Sequence, residues 1–327
     1  MATTRQPRSG SLGMWPRVRS RKEAPRVRTW ASRGEAKLLG FAGYKAGMTT
    51  ISFMDNRKSS MTAGTKAFTP ATILECPPMK VASVRLYGGS RVLSDVFTGS
   101  DPALSRRLPK HKKVQPEQAK AKLAKQPEGV TRVSLILQTQ PGLTGIGKKK
   151  PEMLEIALGG TVPEQLAYAE QALGRDIALA EVLEPGMQVD VKAVTKGKGF
   201  QGTTKRYGTS VRPRKSEKHK RGAGNLGPWN PSKVSYAVPQ PGKMGYHART
   251  EYNKHIFKIG SEPSDVNPAG GFVRYGTVRN PYLVLRGSVP GPIKRLIRMH
   301  LSVRPNKLIP KEAPEITEIS KTSKQGN

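Results

Sequence analysis

Hydrophobic positions along this chain form short runs that alternate with stretches rich in glycine and basic residues. In FAGYKAGMTTISFM and FTPATILECPPMKVASVRLYG, β-branched and aromatic residues are interrupted by Gly and Pro, which is typical of short strands. VTRVSLILQTQ places Val133, Leu135 and Leu137 on one face of a further strand, and MQVDVKAVT continues the pattern. The segment from 270 to 303 predicts more strands, joined by tight Gly and Pro turns. We therefore predict a mainly β body that is discontinuous in sequence.

One segment between the predicted strands has a helical period instead. In TVPEQLAYAEQALG, Thr161 can cap a helix, and Glu164 follows three residues later as in a capping box. The apolar positions that follow at helical spacing are Leu166, Ala169 and Leu173. IALAEVL, directly after it, predicts a second short helix, and the basic, Gln- and Ala-rich stretch from 106 to 129 predicts a surface helix or loop. This part of the chain is predicted to be α+β.

The charge of the chain changes the picture from an ordinary globular protein to one with a polyanionic partner. Its 327 residues contain 57 Lys and Arg against 23 Asp and Glu, a net charge of +34. Such an excess destabilises a compact state by self-repulsion, unless phosphates neutralise it and counterions are released. Nucleic acid is the first candidate partner and an anionic membrane the second. No apolar run approaches the length that spans a bilayer, and the basic stretches lack an amphipathic apolar face.

The basic residues are concentrated at the N-terminus and after residue 190. Residues 1–40 contain ten Lys or Arg and two Glu without strand or helix periodicity, so alone this segment should be disordered. Trp15 and Trp30, interleaved with its arginines, suit stacking on bases, and a charged flexible tail is the alternative. Residues 151–190 carry eight acids and one Arg, whereas residues 191–260 carry 16 basic and two acidic residues.

Two glycine motifs resemble nucleotide-binding loops but fail in context. Gly197, Gly199 and Gly202 of VTKGKGFQG read G-x-G-x-x-G after a predicted strand, yet the following TTKRYGTSVRPRKSEKHKRG lacks the apolar period of the helix that a dinucleotide site needs. GLTGIGKK has Lys149 where a P-loop has the Ser or Thr that holds magnesium. Glycines interleaved with lysines instead let a backbone approach a phosphate chain closely. A folded polyanion is the better match.

No catalytic or metal-ligating constellation is apparent. The five histidines have no metal-site spacing supported by Cys or paired acids. The single cysteine, Cys76, cannot form an internal disulfide, which fits a reducing compartment, and the N-terminus lacks the apolar region of a secretory signal. We predict no cofactor, no small-molecule substrate, no enzymatic activity and a cytoplasmic location.

Several long strings are specific to one family. VTKGKGFQG, GPWNPSKVSYAVPQPGKMGYHARTEYNKHIFKIG and NPAGGFVRYGTVRNPYLVLRGSVPG resemble the L-three family of large ribosomal subunit proteins, in its archaeal form. GSLGMWPRVRSR, FAGYKAGMT, ATILECPPM and LEIALGGTVPEQLAYA match it in the same order, so the resemblance covers nearly the whole chain. It implies a mainly β protein with an α+β insertion, built on a six-stranded translation-protein-type β-barrel. It also implies a basic N-terminal arm and a long internal loop embedded in 23S-type rRNA.

The resemblance and the charge pattern together predict how the chain is divided. The predicted parts are a basic RNA-embedded N-terminal arm (1–40), the first part of the barrel (41–75), the α+β insertion facing solvent (76–185), a barrel strand with the Gly/Lys turn (186–204), the extended rRNA-penetrating loop (205–245), the last part of the barrel (246–305) and a C-terminal tail (306–327). The resemblance implies that Trp229 is the loop tip near the peptidyl transferase centre. Packing of Trp229 on its own prolines is the alternative.

Basic charge and the resemblance together nominate RNA-contacting residues. They are Arg17, Arg19, Arg21, Lys22, Lys196, Lys198, Lys205, Arg206, Arg212, Arg214, Lys215, Lys218, Lys220, Arg221, Trp229, Lys233, Lys243, His247 and Arg249. Asn230 departs from eukaryotic members, which have His there, so no role of that histidine is carried over.

The implied function is that of a structural constituent of the large subunit that binds rRNA and helps its assembly. Its partners would be 23S-type rRNA and neighbouring ribosomal proteins, with no membrane and no homo-oligomer. Two other functions stay open from the residues alone. One is another structured-RNA-binding or RNA-modifying protein, and the other is a protein that coats duplex DNA.

Overall fold

The computed structural model describes residues 8, 10–98, 102–108, 114–125, 127–215 and 219–323. The chain divides into two compact units. The first unit comprises residues 1–23 and 194–249, and the second comprises residues 24–193 and 250–327. The seven-part division predicted from the sequence stays a prediction.

Strands dominate the described residues, as predicted. They are β1 (Gly40–Met54), β2 (Lys66–Glu75), β3 (Met79–Gly88), β4 (Arg91–Phe97), β5 (Arg132–Gln138), β6 (Met153–Ala157), β7 (Asp176–Ile177), β8 (Gln188–Val194), β9 (Phe200–Gln201), β10 (Gly242–Lys243), β11 (Ala248–Gly260), β12 (Tyr282–Arg286), β13 (Leu296–Leu301) and β14 (Ile316–Ile319). The α-helices are α1 (Pro102–Ser105), α2 (Pro116–Ala124), α3 (Val162–Ala172) and α4 (Thr203–Tyr207).

Six strands of the large sheet are hydrogen-bonded into a closed ring. Their order is β13-β8-β11-β12-β2-β1, and β1 pairs with β13 to complete the ring, while β14 pairs with β1 outside it. In the first half of β1, consecutive residues are buried on both faces, and Phe41 and Tyr44 are almost fully covered. Burial on both faces requires the continuous hydrophobic run seen in the sequence. The ring therefore encloses much of the core of the second unit.

A second sheet, also in the second unit, has the order β4-β3-β5-β6, with β7 paired to β3. Helix α3 begins as predicted, because the carboxylate of Glu164 accepts a hydrogen bond from the backbone N–H of Thr161 at 3.1 Å. Ala169 is fully buried, and Leu166 and Leu173 pack on the same hydrophobic core. The buried residues of β5 include the predicted face at Val133.

One predicted helix is wrong. IALAEVL forms no α-helix: Asp176–Ile177 is strand β7, and a single 3-10 turn, Leu179–Glu181, follows. The reason is tertiary, because the backbone of Ile177 pairs with Met79 at the end of β3. The basic stretch from 106 to 129 contains helix α2, with Ala119 and Leu123 buried, which confirms a short surface helix there.

Candidate nucleic-acid interface

The nominated RNA-contacting residues all belong to the first unit, although they come from two distant parts of the sequence. Lys218 lies outside the described residues. The exposed ones are Arg19, Arg21, Lys22, Lys196, Lys198, Lys205, Arg212, Arg214, Lys215, Lys220, Arg221, Trp229, Lys233 and Lys243. Arg17, Arg206 and Arg249 are half-buried, and His247 is buried. The structure thus brings the N-terminal residues and the later basic segment into one unit.

The first unit holds half of the net charge in a quarter of the chain. Its segments, 1–23 and 194–249, contain nineteen Lys and Arg and two Glu, which leaves +17 of the total of +34. Because only two carboxylates are available, most of these cations cannot have an acidic partner within the unit. A surface of this kind attracts a polyanion and repels metal cations. Among the described residues of the whole chain, no group of three His, Cys, Asp or Glu side chains could hold a metal ion.

An aromatic cluster joins the N-terminal residues to the base of the later segment. Helix α4 ends at Tyr207, whose ring stacks on Trp15 with centroids 5.3 Å apart and an interplanar angle of 25°. The edge of Trp15 meets Tyr236, with centroids 6.3 Å apart. The guanidinium carbon of Arg17 lies 4.3 Å from the centre of the Tyr207 ring, and that of Arg206 lies 5.1 Å from it. Trp15 therefore has protein partners, which the prediction of base stacking did not anticipate.

Two of the nominated arginines hold backbone segments together. Arg206 donates to the carbonyl oxygens of Lys243 at 3.1 Å, Gln240 at 2.9 Å and Arg17 at 3.2 Å. Arg17 donates in return to the carbonyl oxygen of Arg206. Partial burial is the main cause that lowers the pKa of Arg17, and repulsion from Arg206 and Arg249 adds to it. These two side chains are structural in the free chain, and their contact with RNA stays a prediction.

The buried side chain of His247 also links two backbone segments. Its Nε2 accepts a hydrogen bond from the backbone N–H of Gly245 at 3.2 Å, so the proton of the neutral ring is on Nδ1, which donates to the carbonyl oxygen of Val18 at 2.7 Å. Gly245 has φ +76°, and a Cβ there would lie 2.2 Å from the carbonyl oxygen of Lys196, so only glycine fits. The backbone of Ser20 donates to the carbonyl oxygen of Tyr246 at 2.8 Å. RNA contact by His247 stays a prediction.

The Gly/Lys turn leaves its backbone open. Strand β9 pairs with β10, and no described atom lies within 4 Å of the position that a Cβ would take at Gly199 or Gly202. Helix α4 does begin directly after Gly202, but it is only five residues long, ends at Tyr207 and is capped by Gly208. The strand pairs found in the described residues are antiparallel, so this helix does not belong to the parallel βαβ unit of a dinucleotide site.

The structure also reveals an aromatic residue that the sequence reasoning did not nominate. Phe200 is 70% exposed, and its strand partner across β9 and β10 is Lys243. A large apolar side chain on a basic ribbon suits stacking on a base. The signal was present in the sequence, since Phe is the one large apolar residue within GKGFQG.

The predicted loop tip is exposed. Trp229 has 96% of its surface accessible, and its neighbours from 224 to 236 are exposed as well. An indole packed on Pro228 and Pro231 would be substantially covered, so the local clasp is excluded. The exposed indole is free to contact a partner, and its contact with RNA stays a prediction.

Comparison with known proteins gives one consistent family. The Ribosomal protein L3 family matches residues 1–326. The chain is 46% identical over 330 residues to the large ribosomal subunit protein uL3 of Archaeoglobus fulgidus, with 98% of each chain covered. It is 47% identical over 337 residues to that of Methanothermobacter thermautotrophicus, with both chains fully covered, and 42% identical over 330 residues to that of Methanocaldococcus jannaschii, with 98% of each covered.

Proposed function

The chain belongs to the ribosomal protein L3 family, in its archaeal type, and from this premise we propose that it binds 23S-type rRNA through its first unit. The family consists of structural proteins of the large ribosomal subunit and not of enzymes. The observation that carries the proposal is the charge of the first unit, where nineteen cations face two carboxylates. rRNA and neighbouring ribosomal proteins are the partners. We propose a single copy in each cytoplasmic large subunit, and no helix of the described residues could span a membrane.

The fold supports a more specific assignment. We assign the six-strand ring to a translation-protein-type barrel, interrupted by the α+β insertion at 76–185. The arm, 1–40, and the loop, 205–245, then embed in rRNA during assembly of the subunit. The contacts of Trp15 and Arg17 with Tyr207 support this, because they hold part of the arm against the base of the loop before RNA arrives, whereas the sequence alone predicted a disordered arm. Pre-ordering of this kind reduces the entropy lost on binding.

Trp229 is proposed to insert among rRNA bases near the peptidyl transferase centre. Its nearly complete exposure supports this, together with the flanking glycines and prolines, which keep the segment from joining a helix or a central strand. Stacking of an indole on a base contributes on the order of 1–3 kcal/mol.

The experiment that tests the proposal is a salt titration of rRNA binding by the full chain. Each neutralised phosphate contributes roughly −0.7 to −0.9 to the slope of log affinity against log salt, so many contacts predict a steep fall. Co-sedimentation with the large subunit through a high-salt gradient is the companion measurement. A slope near zero between low and physiological salt, or loss of the chain from the subunit, would overturn the proposal.

A further inference from the structure

A cleft in the second unit lies outside the surface discussed so far. It is found where β1 and β12 end, and the chain after β13 closes one side. Its polar lining residues are Arg57, Ser59, Ser60, Arg286 and Asn306. The cavity volume is about 220 Å³. That is several times the roughly 30 Å³ that a water molecule occupies in the liquid, so a larger polar group fits.

Arg57 is fixed at one wall of the cleft by a buried carboxylate. Its Nε and Nη2 donate to the two oxygens of Asp55 at 2.9 and 2.7 Å, and the side chain of Asp55 is completely buried. The hydroxyl of Thr62 donates to the same carboxylate at 2.6 Å. Hydrogen bonds from Arg57 are the main cause that holds the pKa of Asp55 well below its usual range. Asp55 is therefore an anion already satisfied, and it orients Arg57 while neutralising it.

Arg286 stands beside this pair without an anion of its own. Its guanidinium carbon lies 5.9 Å from the centre of the Phe53 ring, and neither a hydrogen bond nor an ion pair of its side chain is found in the described part of the chain. Burial is the first cause that lowers the pKa of Arg286, repulsion from Arg57 is the second, and attraction to Asp55 opposes them. The same two arginines, after burial, lower the pKa of the nearby His255 to about 4. A half-buried guanidinium with five N–H donors and no acceptor is an incomplete arrangement.

We propose that this cleft binds a phosphate group of the rRNA backbone, with Arg286 as its principal ligand. Guanidinium groups bind phosphate oxygens in a two-pronged geometry, and the hydroxyl of Ser59 and the side-chain amide of Asn306 supply further donors, whereas the hydroxyl of Ser60 already donates to that of Thr62. This extends the proposed function to the second unit and rests on it, because rRNA is the source of the phosphate.

The surroundings of the cleft favour a phosphodiester chain over the carboxylate of a neighbouring protein. Lys58, Arg304 and Lys307 are exposed in the segments that line it, so positive charge continues on both sides. An extended polyanion uses all of these cations, whereas a single carboxylate uses one. Leu308, 70% exposed at the rim, offers apolar surface to a sugar or base.

The first test compares two arginine substitutions in the full chain. Arg286→Gln removes one charge from the cleft and one arginine–ring contact. Arg132→Gln is its matched control, because the guanidinium carbon of Arg132 lies 4.2 Å from the centre of the Tyr87 ring and Arg132 is not among the residues that line this cleft. In rRNA-binding salt titrations, we expect Arg286→Gln to reduce the steepness of the slope by roughly 0.7 to 0.9, the loss of one phosphate. Arg132→Gln should leave the slope unchanged.

The variant Arg286→Lys distinguishes a loss of phosphate binding from a folding defect. The lysine keeps the charge, so the salt slope should be retained, while loss of the forked geometry should weaken binding several-fold. Thermal unfolding of all three variants checks that they fold like the parent. Equal salt slopes for Arg286→Gln and the parent, or an equal reduction of the slope in Arg132→Gln, would overturn the assignment of the cleft as a phosphate site.

The second test detects the RNA strand itself. Met61 is fully exposed next to Ser60, and Cys76 is buried, so Met61→Cys gives one accessible thiol for an iron chelate. In assembled subunits, hydroxyl radicals from this position should cut a discrete rRNA strand. If the parent binds rRNA with a steep salt slope but the probe cuts no strand, the cleft assignment fails while the proposed function stands. If the parent shows no salt dependence, the proposed function itself fails.

Discussion

Replacement of Tyr207 by alanine should detach the N-terminal residues from the rest of the first unit. The Tyr207 side chain is 6% exposed and contacts Trp15, Arg17 and Arg206. A Cβ at Gly10 would lie 2.6 Å from the Tyr207 ring, which shows how closely the chain approaches it. These contacts attach the segment that precedes Arg17, together with the hydrogen bond from Arg8 to the carbonyl oxygen of Ala237, so their loss has a local effect.

The magnitude follows from the contacts. Burial of a side chain of this size contributes about 1.5–3 kcal/mol. The stacked aromatic pair adds about 0.5–1.5 kcal/mol, and each arginine over the ring adds about 0.5–1 kcal/mol. The total of about 3 to 6.5 kcal/mol overlaps the cost of about 3–5 kcal/mol for truncating a buried aromatic residue. Because about 1.4 kcal/mol is a factor of ten, local opening should become at least a hundredfold more frequent.

Amide hydrogen exchange on the free chain measures this opening. The backbone N–H of Trp15, bonded to the carbonyl oxygen of Leu12, and that of Ser20, bonded to Tyr246, should exchange at least a hundredfold faster in Tyr207→Ala. Tyr207→Phe is the control, because it keeps the ring, and no hydrogen bond of the Tyr207 hydroxyl is found in the described ranges. Unchanged exchange of the Ser20 amide in Tyr207→Ala would refute the reasoning.

Three further predictions concern other sites. Trp229→Ala should leave subunit assembly largely intact, because the energy of one stacking contact is small beside that of the summed phosphate contacts. It should change the chemical reactivity of rRNA around the peptidyl transferase centre, and unchanged reactivity with normal translation would contradict the assignment. Phe200→Ala should weaken rRNA binding by about 1–3 kcal/mol without altering the salt slope. Phe68→Ala removes an equally exposed ring and should leave the affinity unchanged, so equal losses of affinity in the two variants would contradict a specific role of Phe200. Glu75→Ala should lower the free energy of unfolding, measured by urea titration, by about 3 kcal/mol, because it removes the buried acceptor of the Tyr275 hydroxyl and the Asn280 amide. Glu75→Gln keeps one acceptor oxygen and should lower it less. An equal loss of stability in the two variants would show that these hydrogen bonds do not matter.

The β body and helix α3 could be predicted from the sequence because their signals are local. The continuous apolar run of β1, the period of β5 and the Thr161–Glu164 capping pair each lie within one segment. The prediction of a helix at 177–183 failed because the deciding interaction, the pairing of Ile177 with Met79, is with a residue about a hundred positions away in the sequence. An apolar heptapeptide is compatible with a helix and with a strand, and pairing with β3 placed Ile177 in a strand, while Leu179–Glu181 formed a 3-10 turn.

The same limit applies to the interface, where it has a consequence for function. Charge density alone located the two basic segments, since like charges are visible in a sequence without knowing the fold. What composition could not distinguish is which cations face outward and which hold the protein together. Arg17 and Arg206 exchange hydrogen bonds with each other's carbonyl oxygens across 189 residues of sequence. Lys205, next to Arg206, is exposed and has the same charge.

A residue's part in the proposed binding of rRNA is therefore set by its geometry as well as by the sign of its charge. Removal of Arg206 should loosen the arm as well as remove a positive charge. Removal of Lys205 should reduce the slope of log affinity against log salt by at most the contribution of roughly one neutralised phosphate, and it should leave the arm in place. The two neighbours thus separate the structural from the electrostatic contribution of the first unit. A comparison of Arg206→Gln with Lys205→Gln, by amide exchange at Ser20 and by salt titration, measures both contributions. If the two variants behave alike in both measurements, the distinction drawn from the hydrogen bonds is wrong.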